Sequence, residues 1–228
     1  MKTVVITGGS QGIGRALAEV FYADGYQVIA AARSADRLAE VAKALPGTLT
    51  FATDLSLKTG CDALGAYVLE KTGPPDVLIN NAGTFLPGQI LTEEPGTLEK
   101  LLATNVHSAY HTTRSLLPAM VAAGRGHVVN MCSTASIMAY ANGGSYCISK
   151  FALLGFSRVL REELKATSLR VTAVLPGATL TPSWAGVDLP ASRFIDPGEL
   201  ASLILHVVAA KAGTVVEELL VRPQLGDL

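Results

Sequence analysis

Thr3-Val4-Val5-Ile6-Thr7-Gly8-Gly9-Ser10-Gln11-Gly12-Ile13-Gly14 stands almost at the start of the chain. Its first five residues are mostly β-branched and apolar, which reads as a buried strand. Four glycines follow within seven positions, and then a helix-compatible run, Arg15-Ala16-Leu17-Ala18-Glu19-Val20-Phe21. A strand, a glycine turn and a helix in that order make a phosphate site. Glycine lets the backbone approach a pyrophosphate, and the helix N-terminus offers unpaired N–H groups and the positive end of its dipole. The spacing is Gly-x-x-x-Gly-x-Gly. A glycine-rich turn by itself also serves as a plain tight turn, so its place at the first strand-to-helix junction decides the reading. Gly8, Ser10, Gln11, Gly12, Ile13 and Gly14 are the candidate cofactor residues of this turn.

The same alternation runs outward along the chain. Strand-like runs fall at Thr3–Thr7, Gln27–Ala32, Leu49–Thr53, Asp76–Asn80, His127–Cys132, Leu169–Leu175 and Glu217–Val221. Helical patterns lie between them near 12–24, 34–44, 56–72, 97–122, 145–166 and 197–210. Strands alternating with helices imply βαβ crossovers and a parallel sheet covered on both faces. The expected fold class is therefore α/β, a parallel sheet with helices on both faces in a single domain over 1–228. Composition agrees: 228 residues, 49% hydrophobic and 16% charged, are enough for one large core. A net charge of −1 without a Lys/Arg run argues against a nucleic-acid partner. No stretch reaches the roughly 18 apolar residues of a membrane span, and the first apolar run is too short for a secretory leader. Cys61, Cys132 and Cys147 are odd in number and at no metal-ligand spacing, as in the reduced thiols of a cytoplasmic protein.

The second strand ends Ala31-Ala32-Arg33-Ser34. NAD sites usually place Asp or Glu about 20 residues past the glycines, on the ribose 2′-hydroxyl. Ala32 occupies that place, and Arg33 beside it suits a 2′-phosphate through a charge-assisted pair. The expected cofactor is thus NADP(H) in preference to NAD(H). Asp54 and Leu55 end the third strand, where a carboxylate suits the adenine amino group or the dipole of the next helix. Asn80-Asn81-Ala82-Gly83 ends the fourth, and its small residues let a cofactor lie on the backbone.

Tyr146-Cys147-Ile148-Ser149-Lys150 carries the chemistry. Tyr146 and Lys150 are four apart, hence on one face of a helix, and Ser133 precedes Tyr146 by thirteen residues after an apolar strand. A free phenol yields its proton only near pH 10; a neighbouring ammonium and a cationic oxidised nicotinamide both favour phenolate. With the glycine turn, Asn81-Ala82-Gly83 and Pro176-Gly177, the set reads as a nicotinamide-dependent oxidoreductase whose tyrosine handles the proton.

In order and at spacing, these residues resemble the short-chain dehydrogenase/reductase family, from Thr3 to about Val221. The motifs that carry the resemblance are the turn at 7–14, Asn-Asn-Ala-Gly at 80–83, Asn105, Ser133, Tyr146, Lys150 and Pro-Gly-x-x-x-Thr at 176–181. Singly they are loose; jointly they are specific. The resemblance implies a Rossmann-type, doubly wound parallel sheet of seven strands in the order 3-2-1-4-5-6-7. It implies that Tyr146 exchanges a proton with a carbonyl oxygen that Ser133 orients, while hydride arrives at carbon. Lys150 bonds the nicotinamide ribose, and Asn105 holds a water relay to that lysine. Pro176, Gly177, Thr179 and Thr181 belong to the loop that clasps the carboxamide.

The pocket candidates are mostly apolar: Leu86, Pro87, Thr134, Met138, Ala139, Tyr140, Asn142, Leu180, Trp184 and Phe194, with a substrate loop at about 178–197. They suit a small carbonyl compound with hydrophobic flanks. Arg193 is the sole cation between Pro176 and Pro197. The ending Glu217-Glu218-Leu219-Leu220-Val221-Arg222-Pro223 lacks the Val-Asp-Gly-Gly-like stretch of acyl-carrier-protein ketoreductases and resembles the branch holding 3-hydroxy acid dehydrogenases and assorted carbonyl reductases; a 3-hydroxy acid dehydrogenase or a 3-oxoacyl reductase of the same family is the alternative. A non-catalytic NADP-sensing protein is a further alternative, disfavoured because Asn105, Ser133, Tyr146 and Lys150 are all kept. Cys132, Cys147, His107 and His111 read as packing or surface residues, with no third ligand near the histidine pair. Apolar residues nearly all round Phe151–Leu160, and along 97–122, call for a partner on a second face, hence a homodimer or homotetramer.

Overall fold

The computed structural model describes residues 1–211 and 213–228. Seven strands form one sheet: β1 (Thr3–Thr7), β2 (Gln27–Ala32), β3 (Leu49–Ala52), β4 (Val77–Asn80), β5 (Gly126–Met131), β6 (Leu169–Pro176) and β7 (Glu218–Val221). Their order is β3-β2-β1-β4-β5-β6-β7. Every neighbouring pair is parallel, from Thr3 opposite Gln27 to Pro176 opposite Val221. The order reverses at β1, between β2 and β4, so a crevice opens there beyond the carboxyl ends of the strands.

The two faces of the sheet are covered by different helices. On one lie α1 (Gly12–Ala23), α2 (Ala35–Ala44) and α7 (Pro197–Val208), which bury Leu17, Phe21, Leu38, Val41, Leu200 and Ile204 against Val4, Ile6 and Ile79. On the other lie α3 (Lys58–Thr72), α5 (Ser108–Ala122) and α6 (Gly144–Leu164), whose Leu64, Val68, Leu116, Met120, Leu160 and Leu164 pack on Val5, Ile29, Leu78, Val128 and Val171. The alternation of Val4 and Ile6 to one side with Val5 to the other follows from the strand period of two. Phe21 is wholly buried, and truncating such a ring to alanine typically costs about 3–5 kcal/mol.

The helical pattern at 97–122 is interrupted. It begins as α4 (Thr97–Leu102), widens into one π-helical turn at Ala103–His107, and resumes as α5. The turn carries Asn105, which is completely buried. Five residues of wider winding leave no periodic trace, so nothing in the sequence pattern marks them.

A buried polar chain ties the layers together. Asn80 Nδ2 donates to Thr113 Oγ1 at 2.9 Å and to Asn130 Oδ1 at 2.8 Å, and Asn130 Nδ2 donates to Ser157 Oγ at 2.9 Å. It links β4, α5, β5 and α6, and so fixes the height of α6 above the sheet. The base of the loop at 178–197 is closed by Leu180 N–H to Ile195 O at 2.9 Å and Ile195 N–H to Ala178 O at 2.8 Å.

Candidate active site

The end of β1 turns sharply because Gly8 adopts φ +66° and Gly12 φ +54°, a left-handed region that glycine enters without cost. A Cβ on Gly8 would come within 2.9 Å of Asn81 Nδ2, and one on Gly14 would collide with the Gly8 carbonyl. The turn is held from β4: Thr7 Oγ1 accepts from Asn81 N–H and Ala82 N–H, both at 2.9 Å, and Asn81 Nδ2 donates to Thr7 O at 2.9 Å. Asn81 therefore serves the turn, while Asn80 points into the core. At the head of α1, Gln11 gives no side-chain cap and the first turn holds no acid. Its leading N–H groups face outward as donors suited to an anion.

A cleft of ≈ 1060 Å³ starts at this turn and runs over the carboxyl ends of the strands. Its wall beside the glycine turn is cationic. Arg33 lines it, and so does Arg37, whose Nη1 donates to Gln11 Oε1. Arg37, in the first turn of α2, is not among the residues expected from the sequence; its place depends on the contact with Gln11, which has no local signature. Asp54 and Leu55 line the same cleft. Asp54 Oδ1 accepts from Ser56 N–H at 2.9 Å and Ser56 Oγ at 2.8 Å; these bonds, with a smaller contribution from the Arg33 charge, hold its carboxyl below the usual range.

The far end of the cleft gathers Ser133, Tyr146 and Lys150. Ser133 follows β5 and heads a short helical turn, Thr134–Ser136, its Oγ accepting from Ala135 N–H at 3.1 Å. That leaves the hydroxyl hydrogen for a group in the cleft. Lys150 is buried, and its Nζ donates to Met131 O at 2.8 Å; an ammonium has two more hydrogens to give. The same Nζ sits 5.8 Å from the centre of the Tyr146 ring, and the edge-to-face contact of Phe85 with that ring, centroids 4.8 Å apart, holds it from the other side. Asn105 stands behind this group. Its Oδ1 accepts from Thr84 N–H at 2.7 Å and its Nδ2 donates to Thr84 O and Ser149 Oγ, both at 3.0 Å. The side chain thereby ties the loop after β4 to α6.

Gly83, Pro176, Gly177, Thr179 and Thr181 all border the cleft, as do the pocket candidates Thr134, Met138, Tyr140 and Trp184. Burial, then the Tyr146 phenol nearby, pushes Tyr140 up to about 12, so it stays a donor. Trp184 packs on Phe194, centroids 5.2 Å apart, and Phe194 itself is buried outside the cleft. Leu86, Pro87 and Asn142 line a separate cavity of ≈ 700 Å³. Arg193 borders neither cavity. Two residues near the C-terminus, Asp227 and Leu228, do reach the cleft, although nothing in their sequence announces it. Burial raises the Cys132 thiol, chiefly by desolvation, in keeping with packing. Among the described residues, no group of three or more His, Cys, Asp or Glu is placed to hold a metal, and no helix is long and apolar enough to cross a membrane.

The short chain dehydrogenase family model matches residues 2–189. An uncharacterized oxidoreductase of Staphylococcus saprophyticus is 30% identical over 227 residues, covering 97% of each chain. An alcohol dehydrogenase of the archaeon Thermococcus sibiricus, solved with 5-hydroxy-NADP, superposes with a TM-score of 0.90 at 28% identity, over 98% of this chain and 97% of that one. The L-sorbose reductase of Gluconobacter frateurii, solved with NADPH and L-sorbose, gives 0.87 at 30% identity over 97% and 95%. A parallel sheet with a glycine turn at its reversal point and a Ser, Tyr and Lys at the end of the crevice already defines a nicotinamide-type oxidoreductase scaffold. The chain belongs to the short-chain dehydrogenase family.

Proposed function

We infer that the protein is a single-domain, NADP(H)-dependent oxidoreductase that interconverts a small carbonyl compound and its alcohol. The observation that carries this reading is the convergence, in one cleft, of the uncapped α1 N-terminus, Arg33 and Arg37 at one end and Ser133, Tyr146 and Lys150 at the other. Glycines where a side chain would collide with the turn, and free N–H groups at its mouth, fit a dinucleotide pyrophosphate. Arg33 and Arg37 would hold a 2′-phosphate, with Ala32 leaving no carboxylate there to repel it. Asp54 accepts from the adenine side. Lys150 offers its two remaining hydrogens to ribose hydroxyls, and the Pro176–Thr181 loop lies against the nicotinamide end. When bound, NADPH supplies hydride to the substrate carbon.

The remaining work falls to side chains. Tyr146 delivers a proton to the carbonyl oxygen, and in the reverse direction takes one from the alcohol. Such general acid–base transfer is typically worth about 10²–10⁴-fold. Ser133 donates to the same oxygen and fixes its direction. The Lys150 ammonium beside the ring stabilises the phenolate left after the proton has gone. Met138, Tyr140 and Trp184 give the substrate end an apolar wall with one phenol donor. The test is NADPH oxidation and NADP+ reduction over a panel of aldehydes, ketones, polyols and 3-hydroxy acids, with Tyr146→Phe in parallel. Turnover on at least one small carbonyl that disappears in Tyr146→Phe supports the reading. Full turnover in the variant defeats it.

A further inference from the structure

Tyr146 lies in the first turn of α6, and that turn is held from outside. Glu93, on the loop between β4 and α4, reaches across to it. Its Oε1 accepts from Ser145 N–H at 2.8 Å and its Oε2 from Ser145 Oγ. Ser145 is the residue immediately before Tyr146, and its N–H is among those a helix start leaves without an internal partner. No side chain of the helix itself caps this end. Glu93 therefore serves as a cap supplied from a distant segment, its carboxylate also set against the positive end of the α6 dipole.

The backbone on both sides is shaped to admit it. A Cβ on Gly88 would come within 2.7 Å of Glu93 Cγ, and one on Gly144, which has φ +28°, would collide with Glu93 Oε1. Gly88 N–H donates to Asn142 O at 3.0 Å. Asn142 is the only non-glycine with positive φ among the described residues, at +67°, a conformation that needs surrounding structure to hold it. Glu93 itself is fixed by a tight turn, its N–H donating to Gln89 O at 2.9 Å. The other end of this loop carries Thr84, gripped by Asn105, and Phe85, edge-on to Tyr146. Residues 84–93 thus span from one wall of the tyrosine to the root of its helix.

We propose that Glu93 is a positioning residue that sets the pose of the Tyr146 phenol through its two-oxygen grip on Ser145. The proposal rests on Tyr146 being the proton donor. Displacing a reacting group by about 1 Å can cost on the order of 10²-fold in rate, while the glycine turn, Arg33 and Arg37 lie on other elements, and Lys150 is held one turn further along α6 by its own bond to Met131 O. Glu93→Ala is accordingly expected to lower kcat by about tenfold or more with NADPH affinity, read by fluorescence titration, unchanged. Glu93→Gln keeps an acceptor for Ser145 N–H and offers an amide to Ser145 Oγ, so it restores most of the rate. A group that merely stabilised the fold would not separate the two readouts in this way.

The experiment uses the full chain labelled with 3-fluorotyrosine, the residue-146 signal being identified by its loss in Tyr146→Phe. Glu93→Ala should shift and broaden that signal, and Glu93→Gln should leave it near its original place. Rates are measured with NADPH and the fastest aldehyde or ketone of the panel above. If Glu93→Ala does not fold, Ser145→Ala, which removes only the hydroxyl contact, should move the signal and the rate in the same direction by less. An unmoved signal, or a rate loss matched by lost NADPH affinity, overturns the proposal. Full turnover in Tyr146→Phe overturns instead the reading of Tyr146, and the fluorine signal still decides whether Glu93 holds residue 146.

Discussion

At the level of single charges, the proposed preference for NADP(H) rests on Arg33 and Arg37. Both are exposed and border the cleft, so each would contribute through a charge-assisted bond and not through burial. Such bonds are worth about 1.5–3 kcal/mol. Arg33→Ala is expected to lower kcat/KM for NADPH by about tenfold or more and to leave kcat/KM for NADH nearly unchanged; Arg37→Ala should act the same way, and the double variant should lose most discrimination. Parallel kinetics with the two cofactors check this, and an unaltered ratio in the double variant refutes it. Tyr146 and Lys150 should separate by role. Tyr146→Phe keeps the ring contact with Phe85 and should lose about 10²–10⁴-fold in kcat with cofactor affinity intact. Lys150→Ala also removes a buried ammonium bonded to Met131 O, so turnover and NADPH binding should fall together in stopped-flow and titration measurements. Equal affinity loss in both variants would show that the two residues share one job.

At the scale of elements, every strand and helix expected from the pattern is present, because each carries a period that burial on one or both sheet faces enforces. The meeting of Ser133, Tyr146 and Lys150 in one cleft was legible for a related reason: they lie after a strand end and on one helix face, where spacing in sequence becomes spacing in the fold. What stayed hidden depends on contacts between distant segments. The π-helical turn at Asn105, the return of Arg37 to Gln11 and the reach of Glu93 to Ser145 have no local signature. His127 on β5 is another such case. Thr172 Oγ1 donates to Val216 O at 2.6 Å, so it accepts from His127 Nε2 at 2.7 Å, and Nδ1 is left buried without a partner. Burial, with the Arg170 charge adding, lowers its pKa from 6.5 to about 3. In that window the unfolded chain binds a proton that the folded chain refuses, so stability falls as pH drops from about 6.5 toward 3. The loss approaches roughly 1.4 kcal/mol per pH unit. Urea unfolding at pH 7 and pH 5 should show it, and His127→Gln should flatten the slope; an unchanged slope in the variant would assign the acid sensitivity to other groups.

Over the whole molecule, one surface lacks an explanation within a single chain. On α6 the residues Leu153, Leu154, Ser157 and Leu160 are buried against the sheet side, yet Ile148, Phe151, Ala152, Gly155 and Val159 face outward. Their spacing of three and four residues makes a second apolar stripe. A Cβ on Gly155 would meet nothing within 4 Å, so another helix has room to approach closely. On α5, Tyr110 and Val121 are also exposed, and Tyr110 leans on Phe156 of α6, centroids 5.7 Å apart, which joins the two helices into one continuous face. A second copy of the chain related by a two-fold axis would bury this face against itself, the self-complementary arrangement that closes a dimer. The protein is therefore expected to be a homodimer at least, with a tetramer reached if a second surface pairs. Because the same helix carries Tyr146 and Lys150 on its inner side, association should also steady the catalytic turn. Gly155→Arg places a charged side chain in the seam, and should release monomers and lower the melting temperature without touching the cleft. Sedimentation equilibrium at micromolar concentration provides the measurement. A single species at the 23.7 kDa chain mass in the wild type would rule the dimer out and leave the outer stripe of α6 as a solvent-facing surface.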